Sequence, residues 1–160
     1  MNESQKAKEP VKVLYIDDEE NNLIAFKAAF RRDFKVFTAQ SADEARDILK
    51  NNENFDVIIT DQRMPKETGV EFLVSILDSY PDPIRILLTG YSDIEAVIDA
   101  INEGQVYRYI TKPWNEEDLR NTIKNAAEVH RLRKQNEILL QKLEKANQQL
   151  EFLLRQKLLD

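Results

Sequence analysis

The chain has 160 residues, with 29 acids against 23 bases, no Cys, one His (His130), three Gly and five Pro. That length suits one domain of ordinary size, or one domain plus an appendage. The composition excludes disulfides, thiol catalysis, Cys-based zinc or iron–sulfur sites and multi-His metal sites, and a net charge of −6 argues against phosphate-backbone binding as the main task.

Residues 1–10 are polar, read as a disordered lead-in, and lack the apolar core of a signal peptide. No apolar run approaches the ~20 residues of a membrane span. A soluble cytoplasmic protein is expected. Short apolar, β-rich runs follow at 11–16, 34–39, 56–60, 84–88 and 106–110. Helix-period segments fall between them at about 20–32, 42–51, 70–79 and 94–103. Ser41 and Ser92 are candidate N-caps, and Glu44 completes a capping-box spacing with Ser41. All eight Gly and Pro lie at or before Pro113. Helix pattern then runs to the end. Residues 115–160 hold eight acids and nine bases, leaving 21 acids and 14 bases, net −7, for residues 1–114. Alternating β and α implies an α/β fold with a parallel sheet covered on both faces. Ligands in such sheets bind outside the carboxyl ends of the strands.

Those ends carry a consistent chemistry. The first strand runs into Asp17-Asp18, the third into Asp61, the fourth into Thr89-Gly90 and the fifth into Lys112-Pro113. Taken singly, each has a structural explanation: a helix cap, a loop start, a turn, a strand exit. Taken together they do not. Crowded carboxylates repel, and a hard divalent cation relieves them. A lysine opposite the metal leaves a gap suited to a phosphoryl group. Asp61 is then a candidate nucleophile forming an acyl phosphate, and Thr89 can donate to a phosphoryl oxygen.

Residues 11–128 resemble the receiver domain of bacterial two-component response regulators. The resemblance rests on Asp17-Asp18, Asp61 within Thr60-Asp61-Gln62-Arg63-Met64-Pro65, Gly69, Thr89, Tyr109 and Lys112-Pro113. It implies a flavodoxin-like, doubly wound five-stranded parallel sheet of order 2-1-3-4-5. It implies Mg²⁺ (Mn²⁺ fits the same donors) held by Asp18, Asp61 and the Arg63 backbone carbonyl, with Asp17 helping through water. Lys112 contacts the phosphoryl group, and its bond to Pro113 is expected cis. Thr89 and Tyr109 form the switch, and Arg63 and Tyr91 tune phosphoryl lifetime. The donor is a histidine kinase or phosphotransfer protein, and the domain regulates rather than catalyses.

The last helix continues where a receiver's usually ends, near residue 128. With Val129 at heptad position a, the seam is Val129, Leu132, Asn136, Leu139, Leu143, Ala146, Leu150 and Leu153. A single Asn at a favours a parallel homodimer, and Glu128 and Arg133 can pair between chains. From 115 to 159 a straight helix would run roughly 67 Å. The expected division is lead-in 1–10, receiver 11–128 and coiled-coil signalling helix 129–160. The repeat breaks at Lys157 and Asp160, and continuation into an output domain is expected. The motifs Asp-Gln-Arg-Met-Pro and Lys-Pro-Trp resemble those of receivers joined to signalling enzymes. With no basic patch, neither a DNA-binding output nor direct nucleic-acid binding by this chain is favoured. His130, at position b, reads as a surface residue. Two other functions compete. A haloacid-dehalogenase-like phosphatase would need an acid two residues after Asp61, where Arg63 stands. A constitutive dimerisation scaffold would leave the Asp/Asp/Lys set without purpose.

Overall fold

The computed structural model describes residues 9–103 and 105–159. In chain order the elements are β1 (Lys12–Ile16), α1 (Glu20–Phe30), β2 (Lys35–Ala39), α2 (Ala42–Asn51), β3 (Val57–Asp61), α3 (Gly69–Ile76), β4 (Ile84–Thr89), a 3-10 turn (Tyr91–Asp93), α4 (Ile94–Asn102), β5 (Arg108–Thr111) and α5 (Glu116–Leu159). The strands form one parallel sheet in the order β2-β1-β3-β4-β5. The expected flavodoxin-like order is therefore found. Residues 1–8 of the lead-in, and Asp160 at the end of the proposed signalling helix, lie outside the described residues.

Strand burial follows position. β3 is buried at all five residues, whereas the edge strands β2 and β5 are only partly covered. Continuous apolar runs suit strands packed on both faces. One face of the sheet (Val13, Tyr15, Val57, Ile59, Ile86, Leu88) packs against Leu23, Phe26 and Phe30 of α1 and Leu119, Ile123, Ala126 and Ala127 of α5. The other face (Leu14, Ile16, Ile58, Leu87) packs against α2, α3 and α4 through Ala45, Leu49, Phe72, Leu73, Ile76, Val97 and Ala100. Side chains alternate along each strand, so neighbours two apart share a face.

Two sequence expectations change. Ser41 caps α2 by accepting from the Glu44 N–H at 3.1 Å, but Ser92 does not cap α4. It lies inside the 3-10 turn, and its hydroxyl accepts instead from the Arg63 guanidinium at 3.1 Å. His130 is not a surface residue: it is 4% exposed, and its Nδ1 lies 2.9 Å from Asp56 Oδ1. The heptad letter marks it as off the seam, but α5 has a second face. Leu119, Ile123, Ala126, Ala127 and His130 form the stripe that packs on the receiver. At 100° per residue that stripe and the Leu132–Leu139–Leu143–Leu150 stripe lie on roughly opposite sides of the helix.

Candidate phosphoryl and metal site

The candidate site is assembled where β1, β3 and β5 end together. Val13, Tyr15 and Asp17 alternate onto one face, as do Val57, Ile59 and Asp61. Asp17 is fully buried, Asp61 is nearly so, and Asp18 is half-buried. One carboxylate oxygen from each of Asp17, Asp18 and Asp61 lies within 4.8 Å of the others. Lys112, entering just after β5, places Nζ 2.7 Å from Asp61 Oδ1 and 4.0 Å from Asp17 Oδ2. Its peptide bond to Pro113 is cis, as expected.

Charge in this pocket is unbalanced, since one ammonium faces three carboxylates. Burial pushes the Asp61 carboxyl above its ordinary value; Lys112 pulls it back, and the Asp17 and Asp18 charges push it further up. Hard oxygen donors with surplus negative charge fit a small divalent cation. The cluster is thus able to hold a metal.

Three hydrogen bonds of Gln62 hold the loop beside Asp61. The Gln62 N–H donates to Leu88 O at 2.9 Å, its carbonyl accepts from Gly69 N at 3.0 Å, and its side-chain oxygen accepts from Val70 N at 3.0 Å. Gln62 therefore ties β3 to β4 and to the first turn of α3. Gly69 is needed there because a Cβ would collide with the Asp61 carbonyl and come within 2.8 Å of Leu87 Cδ1. Gly90, by contrast, faces open space, with nothing within 4 Å of an added Cβ. That leaves room for an approaching donor.

Thr89 is fully buried, and its hydroxyl donates to Gly90 O at 3.2 Å. Tyr109 is half-buried and packs with the α2/α3/α4 side of the core. Its register partner is Leu87, two residues before Thr89. Thr89 and Tyr109 thus share one face of the sheet, and Asp17 and Asp61 the other. Arg63 points outward, with Nε 2.8 Å from Asp93 Oδ2. Tyr91 opens the 3-10 turn, and its side chain lies outside the described residues. Of the seam, Val129 is half-buried against the receiver's own core, whereas Leu132, Leu139, Leu143, Leu150 and Leu153 are each more than half exposed. Asn136 and Ala146 are also exposed.

Several contributors escaped the sequence reading. Tyr15 and Asn22 both donate to Asp17 Oδ2, at 2.7 and 3.1 Å. Tyr15 had a usable signal, its position two residues before Asp17 on a strand. Asp56 and His130, 74 residues apart, had none.

Comparison with known proteins agrees with this geometry. The family model described as response regulator receiver domain matches residues 13–124. The hydrogenase transcriptional regulatory protein HoxA of Bradyrhizobium diazoefficiens is 40% identical over 125 residues, covering 78% of this chain and 26% of HoxA. This chain therefore spans about a quarter of the curated relatives it matches. A crystal structure described as adenylate cyclase from Rhodopirellula baltica superposes with TM-score 0.81 at 32% identity, covering 84% of this chain and 99% of that one. A response regulator receiver domain from Clostridium thermocellum gives TM-score 0.72 at 37% identity, covering 76% and 98%. With a sheet of order 2-1-3-4-5, an acidic pocket at its carboxyl edge and a family match over most of its length, the chain belongs to the response regulator receiver domain family.

Proposed function

We propose that Asp61 accepts a phosphoryl group from a phosphohistidine on a histidine kinase or phosphotransfer protein, with Mg²⁺ as the cation. The carrying observation is the Asp17/Asp18/Asp61 cluster with Lys112 Nζ 2.7 Å from Asp61. A carboxylate oxygen of Asp61 attacks phosphorus. The P–N bond breaks, its electron pair leaves on the imidazole nitrogen, and an aspartyl acyl phosphate forms. Asp18, Asp61 and the Arg63 carbonyl are the residues that would hold the ion, with Asp17 acting through water. When bound, Mg²⁺ neutralises charge on the transferring phosphoryl oxygens. Lys112 follows that charge from Asp61 onto the phosphoryl group. Thr89 exchanges its bond to Gly90 O for one to a phosphoryl oxygen, and Tyr109 turns into the space released. The change is a population shift whose extent is set by differential binding of the two states.

The test is incubation with Mg²⁺ and acetyl phosphate, followed by intact-mass spectrometry. One phosphoryl group is gained, and none by Asp61→Asn. Continuous turnover would instead identify a phosphatase, and no reaction a scaffold; family membership and the outward Arg63 side chain support neither. Arg63 and Tyr91 slow dephosphorylation in this reading. An Arg63→Ala, Tyr91→Ala variant should lose its phosphoryl group faster than the unaltered chain.

Residues 11–128 act as the receiver and residues 129–160 as a coiled-coil signalling helix that pairs, in parallel, with a second copy. Leu139, Leu143, Leu150 and Leu153 are more than half exposed, and a helix rarely leaves such a stripe in water. Because that stripe lies opposite the receiver-packed stripe, dimerisation need not displace the domain. A cytoplasmic setting suits a kinase-fed receiver, and no helix among the described residues is long and apolar enough to cross a membrane. The relatives include a transcriptional regulator and a protein described as adenylate cyclase. The receiver is the shared part, and the output belongs to what α5 serves.

A further inference from the structure

Asp17 is fully buried, yet it is the most heavily hydrogen-bonded carboxylate of the cluster. Its Oδ2 accepts from Tyr15 Oη at 2.7 Å and from Asn22 Nδ2 at 3.1 Å. Its Oδ1 accepts from the Glu19 N–H at 2.9 Å. A carboxylate offers about four lone-pair sites, so these donors leave about one for anything in the pocket. Tyr15 is well placed for this role. It sits two residues before Asp17 on β1, hence on the same face of the sheet. Its ring is 1% exposed and stacked on Phe26, with centroids 4.2 Å apart at 27°. Packing therefore holds the ring in place with its hydroxyl against the Asp17 carboxylate.

We propose that Tyr15, assisted by Asn22, is a positioning residue of the cation site, orienting Asp17 so that its remaining lone pair faces the space shared with Asp18 and Asp61. This rests on reading that space as the cation and phosphoryl site. Partners that orient a metal-binding group typically contribute 10–100-fold to metal affinity. Tyr15→Phe removes only the hydroxyl and keeps the stacked ring.

The experiment uses the full chain and Mg²⁺ alone, followed by fluorescence of Trp114, the sole Trp, whose ring lies edge-on to Phe26 at 6.3 Å. A second readout is the Mg²⁺ dependence of phosphorylation by acetyl phosphate. Tyr15→Phe should raise the half-saturating Mg²⁺ concentration by about 10-fold in both assays, while the extent of phosphorylation at saturating Mg²⁺ is retained. Asn22→Ala, on the half-buried flank, should move it in the same direction. Ile76→Val, in the core on the other face, lowers the melting temperature without moving the Mg²⁺ midpoint, which separates positioning from general stability. An unchanged midpoint in a folded Tyr15→Phe variant overturns the inference and leaves the site reading standing. An unaltered chain that neither binds Mg²⁺ nor accepts phosphate overturns both.

Discussion

Gly69 shows how one missing side chain sets the position of the acceptor. α3 begins directly against the Asp61 carbonyl, and Gln62 fastens that approach with three hydrogen bonds. Gly69→Ala should therefore cost about 1–3 kcal/mol, the usual range for overpacking. Because the neighbour met first is backbone rather than a flexible side-chain end, relief requires shifting the Asp61 peptide. The expected outcome is a lower denaturation midpoint with a slower phosphorylation rate, read by urea unfolding and by acetyl phosphate labelling. A variant with the midpoint lowered and the rate unchanged would show that Asp61 tolerates the shift. Arg46 offers a contrast at the same scale. It pairs with Glu67 and Asp43 and lies over the Phe72 ring, pinning α2 to the β3–α3 loop from outside.

At the scale of the element, α5 carries two instructions. Its first turns are capped by Asn115, whose side-chain oxygen accepts from Asp118 N at 3.1 Å, and continue as part of the core. The last contact is a polar one. Asp56, just before β3, accepts from Lys12 N at 2.9 Å, approaches His130 Nδ1 at 2.9 Å and accepts from Arg131 Nε at 3.3 Å. Burial pushes the Asp56 carboxyl up, but His130, the Lys12 N–H and Arg131 together outweigh it and hold it below its ordinary value of 3.8. A carboxyl depressed in the folded state stabilises above its unfolded value and loses that contribution as pH falls through the folded one. The receiver should thus lose stability in acid below about pH 4, and Asp56→Asn should flatten that limb of the pH–stability curve. His130→Ala should cost roughly 1–3 kcal/mol at neutral pH and raise amide exchange around 126–131, where α5 leaves the domain. Stability within a few tenths of the unaltered chain would mean that Lys12 and Arg131 suffice.

Across the whole molecule, the sheet divides the labour. Asp17, Asp61 and the α1/α5 core occupy one face, while Thr89, Tyr109 and α2/α3/α4 occupy the other. In the proposed mechanism, a charge arriving at Asp61 would reach the second face through Thr89, at the end of β4, a central strand. α5 belongs to the first face yet projects an exposed Leu stripe away from it. Sedimentation equilibrium should show a dimer, and Leu143→Glu with Leu150→Glu should return monomers. The receiver's own melting should change little, because neither residue touches it. A monomeric unaltered chain would instead assign the stripe to another partner. Asn136→Leu should strengthen association while broadening the oligomer distribution, since the amide pair that the proposed seam would use to select register is lost.

By itself the sequence determined the alternation of strands and helices, the acidic and lysine rim and the long last helix; the order of the strands in the sheet came from the resemblance to receiver domains. The first three are written locally: apolar runs of strand length, polar residues at their carboxyl ends, and a Gly- and Pro-free stretch with helical period. Element ends were legible to within a few residues, and Ser41 as a cap was legible because its partner is three residues away. Only the tertiary structure decided which face each side chain serves. Ser92 failed as a cap because a 3-10 turn intervenes and Arg63, from another loop, takes its hydroxyl. His130 failed as a surface residue because the heptad describes one side of a helix whose other side Asp56 reaches from 74 residues away. The same distinction holds at Asp17: its acidity is a property of the chain, but the three donors that orient it meet only when β1 and α1 are folded together.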